Sequence, residues 1–318
     1  MGLLVDGIWH DRWYETSKTG GRFVRQDSRF RDWIKADGST EFAPESGRYH
    51  LYVSYACPWA HRALIYRTLK GLEDHISISV VSPLMLEQGW TFDPWPGVMA
   101  DPVADARFMH EIYTRARAGY SGRVTVPVLW DLKTQTIVNN ESSEIIRMLD
   151  REFSELADSG NDFCPPGMEQ EIDDLNDYVY VNVNNGVYRA GFATTQKAYE
   201  EAVVALFDAL DELEERLGWN RYLLGDRITE ADWRLFTTMI RFDPVYVGHF
   251  KCNIRRLVDY PNLWGWTREL YQVPGVASTV RMDHIKAHYY GSHPTINPTG
   301  VVPAGPELDL DAPHGRGA

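Results

Sequence analysis

Cys57 stands where a β-rich run, RYHLYVSYA, gives way through Cys57-Pro58-Trp59-Ala60 to a helical stretch, HRALIYRTLKGL. Proline suits the first turn of a helix, because the N–H it lacks would have had no partner there. The pattern predicts strand, turn and helix, with the sulfur at the helix start facing free backbone donors. Such donors and the positive end of the helix dipole favour thiolate over thiol, which lowers the thiol pKa and raises the nucleophilic fraction at neutral pH. A buried structural cysteine is the ordinary alternative, since free cysteine is among the most buried residue types; the strand-turn-helix setting favours reactivity. Ala60 occupies the place where a dithiol oxidoreductase carries its second cysteine, so a resolving thiol must arrive from outside. Cys164 and Cys252 lie far from Cys57 and from each other in sequence, with no Cys-x-x-Cys or metal-ligand spacing, and no disulfide framework is expected.

A second group opens the helix ESSEIIRMLD. Free N–H groups at its start bind a carboxylate, and Glu141 beside Ser142 can pair with an ammonium. On residue grounds alone, the two read first as caps of their own helix. Val126 precedes Pro127 in an extended segment, where its backbone groups serve either a plain edge strand or an added peptide strand. His284 and His288 have the four-residue spacing of two ligands on one helix face, yet lack an adjacent Glu and a third ligand, so no metal site is expected.

The elements that must position these residues fall into two regions, as 318 residues at about 150 per domain suggest. Residues 1–46, rich in Gly, Arg and Asp with scattered aromatics, read as an irregular extension that packs on something without a core of its own. Over 49–150 the order is β-α-β, a long irregular insertion, then β-β-α: ISISVVSPL at 76–84 follows the Cys57 helix, and GRVTVPVLWD, TIVNN and ESSEIIRMLD follow the insertion. From about 168 the signal is helical, with Tyr199, Val203, Leu206, Leu210, Leu213 and Leu217 stepping three or four residues apart. Thr229-Glu230-Ala231-Asp232 is a capping box that starts a further helix. Residues 291–318, dense in Pro, Gly and Asp, read as a tail of low structural commitment.

Composition excludes several classes. Hydrophobic residues at 44% and aromatics at 13% fit a folded chain, against disorder. With 32 basic against 45 acidic residues the net charge is −13, which disfavours general attraction to nucleic acid or an anionic membrane but leaves room for a local basic pocket. No stretch approaches the roughly 18 apolar residues of a spanning helix; Ala202–Leu210 is cut by Asp208. The start, MGLLVDGIWHDRW, lacks a basic leader and a long apolar segment, so the cytoplasm is the expected compartment.

CPWAHR after a strand, VPVL further on and NNESSEI resemble the N-terminal domain of a cysteine-type glutathione transferase. The arm FVRQDSRFRDWI, the insertion around Trp90, VYRAGFATTQ, RFDPVYVGHFKCN and HIKAHYYGSHPTINP, in that order, resemble more narrowly the S-glutathionyl-hydroquinone reductases, or Xi-class transferases. Only the far C-terminal tail falls outside this resemblance. It implies an α/β thioredoxin-like domain over 47–155 and an all-α domain over 165–290, with the active site in the cleft between them and a homodimer as the assembly. It implies glutathione as co-substrate, with no tightly bound cofactor and no metal. Glu141 and Ser142 then take the γ-glutamyl end, Val124, Thr125 and Val126 the peptide part, and Arg123 and Trp90 supply a charge and an apolar wall.

By the same resemblance Cys57 is the nucleophile, Tyr246 and Tyr289 donate hydrogen bonds that lower its pKa, and Tyr188 moves a proton to or from the substrate. On residue grounds each tyrosine is only a packed aromatic. The implied reaction is glutathione-dependent reduction of glutathionyl-hydroquinones through a Cys57–glutathione mixed disulfide. An omega-like thiol transferase or dehydroascorbate reductase shares the cysteine but has no need of the three tyrosines. A non-catalytic relative that binds aromatic ligands has no need of a reactive thiolate.

Overall fold

The computed structural model describes residues 2–317, which group into two compact units. One runs to Trp13, over Gln26–Asn161 and over Ser278–Ser292; the other holds Tyr14–Arg25, Asp162–Ala277 and the chain from His293 on. The elements of the first half are β1 (Leu3–Val5), β2 (Ile8–His10), β3 (Tyr49–Val53), α1 (Pro58–Leu69), β4 (Ile76–Val80), α2 (Met109–Ala116), β5 (Gly122–Arg123), β6 (Val128–Asp131), β7 (Thr136–Asn139) and α3 (Ser142–Arg151). There follow α4 (Glu169–Val179), α5 (Gly186–Gly191), α6 (Gln196–Trp219), α7 (Glu230–Met239), α8 (Pro261–Tyr271) and α9 (Met282–Ser292), with π-helical turns at Tyr180–Asn184 and Phe242–Tyr246.

In the first unit the sheet order is β4-β3-β6-β7. β3 runs parallel to β4, with Leu51 opposite Ile78, and antiparallel to β6, with Leu51 opposite Leu129. The parallel pair requires a crossover, which α1 supplies, and α1 packs on α3. All five residues of β3 are buried, as a central strand covered on both faces must be. This is the thioredoxin-like arrangement. The run GRVTVPVLWD is split: Gly122–Arg123 pair with β1 in a separate three-stranded sheet, and β6 begins only at Val128. Pro127 lacks the N–H a continuous ladder needs.

In the second unit Val203, Leu206, Leu210, Leu213 and Leu217 of α6 are buried, as their spacing predicts, while Tyr199 is half-buried and donates through its hydroxyl to the Lys251 carbonyl. At the start of α7, Asp232 Oδ2 accepts the Thr229 N–H at 2.8 Å, the return bond of a capping box. The Thr229 hydroxyl donates to the same oxygen, and Oδ1 takes the Leu223 amide and the Trp266 indole.

Three sequence boundaries need correction. The extension over 1–46 is not one irregular arm: β1 and β2 form a hairpin whose turn, Asp6-Gly7, has both φ angles positive (48° and 79°), as an Asp-Gly two-residue turn requires. Residues 14–25 belong instead with the helical unit. The stretch 278–290, expected in the all-α domain, groups with the first unit: Thr279 Oγ1 and His61 Nε2 of α1 share a hydrogen bond of 2.8 Å, and α9 bonds the insertion through His284 and His288. The tail is anchored. Arg316 donates to the carbonyl of Leu217 in the last turn of α6, where the helix dipole favours a cation, and to those of Asn220 and Arg221 just beyond it, and Gln272 bonds the carbonyls of Leu310 and Ala312.

Candidate active site

β3 delivers the chain into a tight turn in which the Cys57 amide donates to the Ser54 carbonyl and the Ala56 amide to Ser54 Oγ. Cys57 is the N-cap of α1, in extended conformation, with Pro58 as the first helical residue and its own carbonyl accepting the first helical bond from His61. Cys57 is buried, at 8% exposure, and Sγ lies 3.5 Å from the Val126 carbonyl, to which it donates. Cys57 holds the cap position that the sequence predicts; its side chain makes no capping bond, and Sγ donates to the Val126 carbonyl. The peptide that follows, Val126–Pro127, is cis.

The segment carrying Val124, Thr125 and Val126 is held by Tyr113 on α2, which sequence reasoning did not single out. Its hydroxyl donates to the Thr125 carbonyl at 2.9 Å, accepts the Thr125 amide at 3.2 Å and accepts Asn140 Nδ2 at 3.0 Å. Burial raises the Tyr113 pKa, so the group stays a phenol. One buried hydroxyl thus ties the 124–126 segment to the start of α3. No periodicity marks it, since an aromatic in a short amphipathic helix is ordinarily core.

Glu141 is the N-cap of α3 and Ser142 its first residue. Glu141 Oε1 accepts the Ser143 amide at 3.2 Å and the Ser143 hydroxyl at 3.1 Å, and Oε2 accepts the Ser28 hydroxyl at 3.1 Å. Glu141 therefore caps its own helix, and a carboxylate retains lone pairs for a further donor. Ser142 is buried and accepts from Arg62 Nη1 at 3.3 Å; Arg62 lies over the Trp59 ring, so α1 and the start of α3 are joined through the CPWAHR motif. Arg123, in β5, donates through Nη1 to the Arg12 carbonyl at 2.5 Å. Trp90 is buried and stacks on His288, with centroids 4.8 Å apart and planes at 21°.

His288 also lies against Tyr289, which is buried on α9. His288 donates from Nδ1 to the Pro83 carbonyl at 2.8 Å and His284 from Nε2 to the Pro96 carbonyl at 2.6 Å. The four-residue spacing serves to pin the insertion. Among the described residues no group of three or more His, Cys, Asp or Glu is placed to hold a metal ion.

In the helical unit Tyr188, on α5, and Tyr246, in the Phe242–Tyr246 turn, have ring centroids 6.2 Å apart. Phe250 lies flat against Tyr246, with planes at 9°, and edge-on to Tyr188. Behind Phe250, His249 Nε2 and His293 Nδ1 share a hydrogen bond of 3.0 Å; burial first, then Lys251, lowers the His249 pKa to about 4. Of the other cysteines, both are buried, and burial pushes the Cys252 thiol well above its ordinary range. A buried thiol of raised pKa is inert.

The chain matches the family model described as the glutathione S-transferase N-terminal domain over residues 56–152 and that of the C-terminal domain over 196–269. It is 57% identical over 323 aligned positions to the glutathionyl-hydroquinone reductase YqjG of Escherichia coli K12, covering 99% of this chain and 98% of that one. The glutathione-bound structure of YqjG superposes with a TM-score of 0.91 at 54% identity over 99% of both chains. A Xi-class transferase from Natrialba magadii gives 0.93 at 52% identity, over 99% of this chain and 96% of that one. The chain belongs to the Xi class of glutathione transferases. As in that superfamily, this transferase joins a thioredoxin-like domain to a helical one. The N-terminal arm and α9 lie outside both matched segments.

Proposed function

We propose that this transferase reduces glutathionyl-hydroquinones to hydroquinones at the expense of glutathione. The observation that carries the reading is Cys57 at the N-cap of α1, beside the Val126 carbonyl, in a chain 57% identical along nearly its whole length to a glutathionyl-hydroquinone reductase. Glutathione occupies the segment from Arg123 to Val126 and the start of α3, with its ammonium on Glu141, its γ-glutamyl carboxylate at the Ser142 end and Trp90 as an apolar wall. A relative of this chain has been solved with glutathione bound, which supports glutathione as the ligand.

The chemistry follows from the leaving group. Attack of a thiolate on sulfur with direct expulsion of the ring would release an aryl carbanion. Protonation of the sulfur-bearing ring carbon, with loss of the proton from a ring hydroxyl, gives a ketone tautomer instead. Tyr188 supplies the carbon-bound proton. Cys57 thiolate then attacks the glutathionyl sulfur, the carbon–sulfur bond breaks, and its electron pair leaves as the enolate, which takes up a proton to give the hydroquinone. The thiolate of a second glutathione attacks the Cys57–glutathione disulfide and releases oxidised glutathione. In sum, one thioether and one glutathione give one hydroquinone and one glutathione disulfide; the two sulfurs are oxidised as the ring carbon is reduced. Tyr246 and Tyr289 stabilise the Cys57 thiolate by hydrogen bonding.

The test is turnover of a synthetic glutathionyl-hydroquinone with glutathione. Hydroquinone and glutathione disulfide should form in equal amounts, and a protein that exchanged disulfides yet released no hydroquinone would be an omega-like thiol transferase. The resemblance also suggests a cytoplasmic homodimer, which light scattering of the purified chain checks as twice the chain mass.

A further inference from the structure

The N-terminal arm between Tyr14 and Arg25 lies outside both matched family segments, yet it is fastened to the helical unit. The Thr194 amide donates to the Gly21 carbonyl at 3.0 Å, Thr195 Oγ1 to the Gly20 carbonyl at 3.0 Å, and Arg22 to Glu201 through Nε and Nη2. Gly21 has φ +84°, and a Cβ there would stand 2.6 Å from Thr195, so the arm approaches as closely as backbone permits. Phe23 is buried against Phe192, with centroids 5.3 Å apart. Two residues on, the Arg25 guanidinium carbon lies 5.0 Å from the centre of the Tyr188 ring, and Nε donates to Asn185 Oδ1 at 3.2 Å. Asn185 precedes α5, the helix that carries Tyr188. The same guanidinium carbon lies 5.5 Å from the centre of the Phe23 ring, so the arm and the base of the helix hold the cation between Phe23 and the face of Tyr188.

We propose that Arg25 is a positioning residue for Tyr188: its charge holds the ring in place and stabilises the phenolate that forms as the proton leaves for the substrate ring carbon. The inference rests on the reading of Tyr188 as proton donor. A cation over a neutral phenol ring gains a modest quadrupole attraction, whereas the same cation over a phenolate gains a full charge–charge attraction. The interaction is stronger after proton transfer has begun than before it, which is the condition for lowering a barrier rather than merely binding. Proton and charge balance without any further reactant: Tyr188 Oη loses a proton to carbon and recovers one from solvent. Thiol–disulfide exchange at Cys57 involves no such transfer.

The experiment compares turnover of a glutathionyl-hydroquinone with turnover of a small mixed disulfide, both with glutathione, in the full-length protein. The ratio of the two rates should fall about tenfold in Arg25→Gln and in Arg25→Met, equivalent to about 1.4 kcal/mol. Arg25→Lys, which keeps a cation, should recover most of that ratio. Loss of the arm's packing alone would lower the ratio equally in all three variants, and that result overturns the inference. In a Tyr188→Phe background, Arg25→Gln should change the ratio less than about twofold, because the group it acts through is gone. A full tenfold loss on that background would also overturn the role assigned to Arg25 while leaving Tyr188 intact. An unchanged ratio in Tyr188→Phe alone would remove Tyr188 as the donor, and with it the basis for Arg25; the two failures are read from different variants.

Discussion

Replacing Tyr113 by Phe removes one buried hydroxyl and three hydrogen bonds that hold the 124–126 segment to the start of α3. A hydrogen bond of this kind contributes about 0.5–1.5 kcal/mol net, and a buried group left unsatisfied costs about 1–3 kcal/mol. The Thr125 amide, the Thr125 carbonyl and the Asn140 side chain would all lose a partner. The Thr125 carbonyl can relax toward its own hydroxyl, which already lies 3.2 Å from the Tyr113 oxygen, so the expected loss is about 2–4 kcal/mol rather than the full sum. For a unit of this size that corresponds to roughly 4–16 °C in Tm. The segment so released carries the Val126 carbonyl that meets Cys57 Sγ, and the half-saturating glutathione concentration should rise severalfold together with the loss of stability. Thermal unfolding followed by circular dichroism, paired with glutathione titration of initial rates, checks both. An unchanged Tm would show that these bonds do not hold the segment. A lowered Tm with unchanged glutathione dependence would show that Thr125 and Val126 do not position glutathione.

Cys57→Ser should abolish thioether reduction while glutathione still binds, and wild-type protein treated with glutathione disulfide should carry one glutathionyl group on Cys57 by peptide mass spectrometry; labelling confined to Cys164 or Cys252 would refute the assignment. Glu141→Ala combined with Ser142→Ala should raise the half-saturating glutathione concentration more than it lowers the saturated rate, because these contacts act in ground and transition states alike; an unchanged value would leave Glu141 as a helix cap only. Burial lowers the pKa of both His50, held between Ser77 and Ser79, and His249 from 6.5 to about 4. Both stay neutral in the folded chain while the unfolded chain binds protons first, so their contribution is complete above about pH 6.5 and is lost progressively as pH falls toward 4; urea midpoints that did not fall between pH 7 and pH 5 would contradict this.

Local signals carried well from sequence to structure. The Cys57-Pro58 helix start, the β-α-β order and the Thr229–Asp232 cap depend on neighbours within a few positions, and each chain segment could be read alone. The contact of Cys57 Sγ with the Val126 carbonyl could not, because the two residues lie 69 positions apart. Tyr113, Ser28 and Arg25 were equally illegible, since each acts through a partner more than ten residues distant and none breaks a local pattern. The tail misled for a related reason: its composition is that of a loose end, but a single guanidinium at Arg316 donates to the Leu217 carbonyl in the last turn of α6 and to those of Asn220 and Arg221 just beyond it. The Asp6-Gly7 hairpin has a local sequence signal, an Asp-Gly pair between LLV and IWH.

In the proposed mechanism Cys57 takes the glutathionyl group from the substrate before any second glutathione is involved. Reduced protein mixed with an excess of glutathionyl-hydroquinone in the absence of free glutathione, then quenched in acid, separates this half-reaction from the rest. One hydroquinone should be released per chain, in step with one glutathionyl group appearing on the Cys57 peptide, and turnover should stop there until glutathione is added. Release of hydroquinone without modification of Cys57, or no release until glutathione is present, would show that Cys57 is not the first acceptor of the glutathionyl group.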